Sequence, residues 1–340
     1  MATPPSDPVD VATLRAWTAP GADDAIGAAA GRALVLVGLD GPDPGVFDGW
    51  SPGARPLVVV GVTPGPTRAG PPPADHPCDV VVGADDPLLP ALMEAITRHP
   101  VAASAGAVLL RDTLTRDVEH GLAAESAVYS LLQAGPEFSA WRRSRASVPV
   151  APVPHPVLVE RDGDVVTITL NRPERHNAVD RALRDGLAEA LTLAVLDDSV
   201  TVVHLRGNGP SFCSGGDLDE FGSFPDPATA HASRLTRSPA RLAHLLRDRL
   251  TVHLHGACMG AGIEVPAFAT QVVAAPDASI ALPELGAGLV PGAGGTVSIP
   301  RRIGRHRTAL LALSGGRIDA VTAADWGLVN QLAGASDQNR

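Results

Sequence analysis

HGACMGAGIEVPAF, residues 255–268, and LPELGAGLVPGAGGT, residues 282–296, decide how this chain is read. Each run holds one glutamate, Glu264 or Glu284, among glycines. Two carboxylates fixed by rigid turns can serve one substrate as general acid and general base. Glycine beside each lets backbone approach a ligand closely and lets N–H groups point at it.

Outward from these runs, the chain reads as α/β. Residues 33–39, 57–62 and 79–82 are apolar strand-like runs separated by Gly- and Pro-rich loops. Helical periodicity marks 88–98 and 117–133. The proline-rich stretch 144–156 reads as a linker. Beyond it, 165–170 alternates Thr with Val, Ile and Leu and predicts a strand. Residues 181–196 predict an amphipathic helix with Leu183, Leu187, Leu191 and Ala194 on one face. Strands are expected at 201–206, 250–254, 272–275 and 279–282. Helices are expected at 241–246, 307–313 and 320–326. Strands alternating with helices define the class.

Composition narrows the partners. The chain has 340 residues, 45% hydrophobic and 19% charged, with a formal charge of −10. That balance suits a globular protein and argues against nucleic acid or an anionic membrane as a general partner. Cys78, Cys213 and Cys258 form no CxxC pair, which favours a reducing cytoplasm. The N-terminus has neither a basic nor an apolar leader region, and no apolar run reaches the roughly 18 residues of a membrane span. No HxxxH or CxxC spacing suggests a metal site.

Four landmarks in order, ITLNRPERHNAVD (168–180), SFCSGGDLDEF (211–221), HGACMGAGIEV (255–265) and PELGAGLVPGAGGT (283–296), resemble the crotonase (enoyl-CoA hydratase/isomerase) superfamily. The resemblance runs from about 156 to 328. It implies a spiral of ββα turns and a homo-oligomer, a trimer or hexamer. It implies an acyl-CoA thioester as substrate and no cofactor beyond the coenzyme A carried by that substrate. Residue by residue, it implies that Glu264 and Glu284 are the catalytic glutamates. It puts the oxyanion hole on the N–H groups of Ser214 and Ala261, where Ala261 departs from the commoner glycine. Arg172, Arg175, His176 and Ala178, with Gly215, Gly216, Asp217, Leu218 and Gly260, fall where the family holds substrate and coenzyme A. Arg301, Arg302, Arg305 and Arg307 form a second basic cluster, phosphate-facing or merely exposed. His255 reads as a structural hydrogen-bonding residue.

The family normally continues past the motif seen here at 327–329, with helices that cover the site. Residues 99–143 look like that missing region, and 31–145 as a whole read as a degenerate crotonase-like half. The expected divisions are therefore a tail at 1–30, a cover region at 31–145, a linker at 146–156, a catalytic core at 157–332 and a tail at 333–340. Two glutamates favour enoyl-CoA hydration. Isomerisation, thioester hydrolysis, cofactor-free oxygenation and a non-catalytic scaffold remain the alternatives.

Overall fold

In the computed structural model, residues 8–334 are described except 20, 22–26, 28–31, 40–46, 48, 68–69, 147–152 and 225. Most of the expected linker and most of both expected tails thus lie outside or at the edge of the described residues.

The first half opens with α1 (Val11–Trp17) and a parallel sheet of β1 (Leu34–Gly38), β2 (Val58–Thr63) and β3 (Val80–Gly83), in that order. β2 is buried along its whole length, as a central parallel strand covered on both faces must be. Four helices follow: α2 (Leu88–Arg98), α3 (Pro100–Arg111), α4 (Val118–Gln133) and α5 (Pro136–Arg143). Asp117 starts α4 by accepting the His120 N–H at 2.8 Å. Glu137 of α5 binds the free N–H groups of Val101 and Ala102 at the start of α3, at 2.8 and 3.0 Å.

The second half begins with β4 (Val157–Asp162), β5 (Val165–Leu170), α6 (Arg181–Leu196) and β6 (Val202–Gly207). It continues through α7 (Pro227–Thr236), α8 (Pro239–Leu245), β7 (Leu250–Leu254), β8 (Ala257–Met259) and α9 (Ala261–Glu264). β9 (Gln271–Ala274), β10 (Ser279–Ala281), α10 (Gly295–Ser314), β11 (Arg317–Asp319), α11 (Ala320–Trp326) and β12 (Gln331–Leu332) complete it. The large sheet has the order β12-β9-β7-β6-β5-β4, parallel except for the β4 edge. The small sheet has the order β11-β10-β8. Successive turns of chain give one strand to each sheet: β7 then β8, and β9 then β10. Each glycine-rich glutamate turn follows a strand of the small sheet.

The alternation read at 165–170 is observed: Val166, Ile168 and Leu170 are buried in β5, in register with β6. α6 spans the expected residues, capped by the Asp180 carboxylate on the Leu183 N–H, with the expected apolar face inward.

The two halves share a hydrophobic core. Tyr129, Leu132 and Phe138 from α4 and α5 pack in one cluster with Leu285, Leu289, Val290 and Leu313 from the second half. Glycine 292 matters to this contact. A Cβ there would lie 2.3 Å from the Tyr129 ring, so only glycine lets α4 approach this closely. α4 and α5 are thus laid onto the glutamate turns within the same chain.

Candidate active site

The two glycine turns meet through the pairing of Cys213 with Cys258. The Cys213 N–H donates to the Ala257 carbonyl at 3.1 Å, and the Met259 N–H donates to the Cys213 carbonyl at 3.0 Å. Gly260 then takes φ 50° and ψ −120°, a conformation that only glycine adopts readily, and α9 starts at Ala261. This abrupt start leaves the Ala261 N–H outside any helical bond. Among the described residues neither Ala261 N–H nor Gly216 N–H has a backbone acceptor. Both residues line a cavity of about 230 Å³ whose walls also carry Glu125, Tyr129, Glu264 and Glu284.

Ser214 must be corrected. Its N–H is spent on the His176 carbonyl at 2.9 Å, and the residue is not on the cavity wall. The donor facing the cavity from this turn is two residues later, at Gly216. Residues 218–222 beyond it continue as turns.

Glu264 is 1% exposed. Its Oε2 accepts the N–H groups of Ala293 and Gly295 at 2.7 and 2.9 Å. Glu284 comes from the turn after β10, and its Oε2 is buried with no hydrogen-bond partner among the described residues. The two carboxylates converge. A Cβ built on Gly260 would lie 2.3 Å from Glu284 Oε1 and 3.6 Å from Glu264 Oε1. Burial raises the pKa of both groups. For Glu264 the two N–H bonds oppose that rise. For Glu284 the charge on Glu264 adds to it. The environment therefore separates the pair: Glu264 holds the negative charge more readily, and Glu284 holds the proton.

A third carboxyl enters from α4, outside the sequence motifs. Glu125 is 2% exposed. Its Oε1 accepts the Gly294 N–H at 2.7 Å, and its Oε2 accepts the Thr296 N–H and hydroxyl at 2.8 and 2.7 Å. Burial, then the charge of Glu264, raise its pKa. Nothing in the local sequence of α4 marked this residue, because its partners lie 169 and 171 positions away.

The segment 172–178 folds into an internal polar knot. Arg172 is 3% exposed, and its guanidinium bonds Asp217 at 2.9 Å and the Ala178 carbonyl at 2.5 Å. It also lies 3.2 Å from Asp180. These bonds commit the Arg172 guanidinium to protein partners. Arg175 pairs with Asp219 at 2.7 Å and Asp217 at 3.3 Å. Burial alone would raise Asp217, but the Asp219 N–H and the two arginines hold it below the usual carboxylate range. His176 bonds the Ser211 hydroxyl at 2.9 Å, and the Asn177 side-chain amide donates to the carbonyls of Asn208, Ser211 and Phe212. The knot thus fixes the 211–217 turn that carries Gly215 and Gly216. Ala178 is buried beneath it, whereas Leu218 is 40% exposed and off the cavity wall.

The second basic cluster serves as a set of clamps. Arg302 donates to the carbonyls of Ala267, Ala269 and Leu328, and Arg305 to those of Ala74, His76 and Cys78. Arg301 holds the Val297 and Arg116 carbonyls at 2.6 Å each, and Arg307 stacks over Trp326 at 5.0 Å. His255 bonds the Gly209 carbonyl at 3.0 Å. No group of three or more metal-ligating side chains occurs among the described residues. No helix among them is long and apolar enough to cross a membrane.

Buried carboxyls thus stand beside unpaired turn N–H donors on an α/β fold, an arrangement able to stabilise developing negative charge. Residues 160–338 match the family model described as Enoyl-CoA hydratase/isomerase, and the chain belongs to that family. It is 35% identical to the 2,3-dehydroadipyl-CoA hydratase of Escherichia coli (strain K12), over 52% of this chain and 68% of that one. It is 34% identical to the 1,2-epoxyphenylacetyl-CoA isomerase of the same organism, over 52% of this chain and 69% of that one. A solved enoyl-CoA hydratase from Thermoplasma volcanium GSS1 shares 35% identity and covers 53% of this chain and 72% of that one, with a TM-score of 0.49. The matched part is the second half, so Glu125 and Tyr129 lie outside it.

Proposed function

We propose that this protein is an enoyl-CoA hydratase, adding water reversibly to a 2-enoyl-CoA thioester. The observation that carries the reading is the convergence of Glu264 and Glu284 on Gly260, beside the unpaired N–H of Ala261. The thioester oxygen accepts the N–H groups of Gly216 and Ala261, which stabilise the charge that develops on it. Ionised Glu264 takes a proton from water as the oxygen bonds the β-carbon. The electron pair of the double bond moves into the enolate. Protonated Glu284 then delivers its proton to the α-carbon. Resetting the site returns one proton from Glu264 to Glu284. The scheme uses two carboxyl groups and two peptide donors and calls for no further cofactor.

The test is hydration of crotonyl-CoA by the purified protein, followed as loss of the conjugated thioester's absorbance. A steady loss that stops at equilibrium supports the reading. Isomerisation, thioester hydrolysis and oxygenation also place negative charge on the thioester oxygen and would use the same two donors, and the similarity to an isomerase keeps the first of these as the second reading. A shifted double bond, free thiol or oxygen uptake without hydration would replace the hydratase assignment with the corresponding reaction.

A further inference from the structure

The cavity holding Glu264 and Glu284 is also lined by Arg234 of α7. Its Nε donates to the Ser126 hydroxyl at 3.0 Å, and its Nη2 to the Ser126 carbonyl at 3.4 Å and to the Ser130 hydroxyl. The guanidinium lies 4.8 Å from the centre of the Tyr129 ring. These contacts hold the group in place but do not neutralise it. Among the described residues Arg234 has no carboxylate within ion-pair distance, and its Nη1 has no protein acceptor. The other arginines of this wall are engaged differently. Arg184 and Arg237 each reach Asp185 at 2.7 Å, and Arg181 lies over Phe224 at 4.8 Å.

The nearby acidic group does not fill the role. Glu125, next in sequence to Ser126, spends both oxygens on the N-terminal N–H groups of α10. Arg234 is therefore a half-buried, oriented cation without an ion-pair partner among the described residues; burial lowers its pKa because charge is costly there, and the nearby Tyr129 and Glu125 offset only part of that. Charge in such a site favours a paired anion, and a planar guanidinium suits carboxylate. We propose that Arg234 reads the far end of the acyl chain and that the preferred substrate is an acyl-CoA whose chain ends in a carboxylate. This deepens the reading of the cavity as an acyl-CoA site and rests on it.

Binding is measured by calorimetry with saturated thioesters, which cannot be hydrated. An acyl-CoA ending in a carboxylate is compared with the plain acyl-CoA of equal chain length, and with coenzyme A itself. The wild type should bind the carboxylated thioester about 10-fold or more tighter than the plain one, the scale of one hydrogen-bonded ion pair. Arg234→Gln should bring that ratio to about one, and Arg234→Lys should keep part of it. A wild-type ratio of one overturns the proposal without need of any variant. So does an Arg234→Gln protein that binds both thioesters and coenzyme A proportionately more weakly, which would assign Arg234 to a coenzyme A phosphate. A retained binding ratio without hydration would sink the hydratase reading alone. A ratio of one beside normal hydration would sink the role of Arg234 alone.

Discussion

Glu125 and Glu264 divide between them the four successive N–H groups of residues 293–296 at the start of α10. Glu264 takes Ala293 and Gly295, and Glu125 takes Gly294 and Thr296. A helix N-terminus favours negative charge and needs acceptors for its free donors. Here two carboxylates from opposite halves of the chain supply them. Glu264 also approaches Glu284 at Gly260, so its position there depends on a residue of α4.

Replacing Glu125 with Gln should therefore act twice. The amide NH₂ would face an N–H donor, leaving a buried group unsatisfied at a cost of about 1–3 kcal/mol. The displaced 293–296 turn would also move Glu264, and kcat for hydration should fall by about 10-fold or more while KM changes little. Thermal melts and steady-state kinetics on the variant check both effects. A stable variant with native kcat would remove Glu125 from the account.

Glu264→Gln and Glu284→Gln should each cut kcat by about 10²-fold or more, the scale of losing one acid–base group. Their effects on stability should differ. Glu284 holds its proton in the folded state above the ordinary glutamate pKa of about 4.3, whereas the unfolded chain has released it. In that window stability falls as pH rises, until the folded pKa is passed. Glu284→Gln removes this loss, so its melting temperature should rise relative to wild type from mildly acidic to alkaline pH. Melts across that range decide the point.

The same environments set the pH profile. The proposed hydration scheme needs Glu264 ionised and Glu284 protonated. The rising limb of kcat/KM should lie above the ordinary glutamate range, because burial raises Glu264. The falling limb belongs to Glu284, which burial and the neighbouring charge raise further. A flat profile between pH 5 and 9 would contradict the division of roles.

Much of this was legible in the chain because it is local. The strand alternation at 165–170, the apolar face of α6 and both glutamate turns follow from neighbours within a few residues. What escaped is non-local or masked by composition. α10 was expected only at 307–313; Gly294, Gly295 and Pro300 disfavour a helix in the local sequence. It starts at Gly295 because Glu125 and Glu264 cap it, and the break falls at Gly304, with φ 78°. α3 was not resolved as a separate helix: it is a run of small residues that buries Ala102, Ala103 and Ala107 without a strong apolar stripe. β4 is an exposed edge, with no buried residue to reveal it. The choice of Ser214 failed by two positions because the direction of an N–H depends on the His176 carbonyl opposite it.

Removing the first half should disable the second. Residues 151–340 alone would lose Glu125 and expose Leu285, Leu289 and Val290, which now pack with Tyr129, Leu132 and Phe138. Such a patch promotes aggregation. The fragment should be insoluble or inactive, and adding residues 1–150 should restore some activity. A soluble and fully active fragment would show that the cover is dispensable.

The most direct test of the central claim is the product formed from a 2-enoyl-CoA in D₂O, read by NMR. The account predicts a 3-hydroxyacyl-CoA with one deuteron at the α-carbon, formed by wild type and suppressed together with turnover in Glu284→Gln. A recovered substrate with its double bond shifted, and no hydroxyl at the β-carbon, would contradict it.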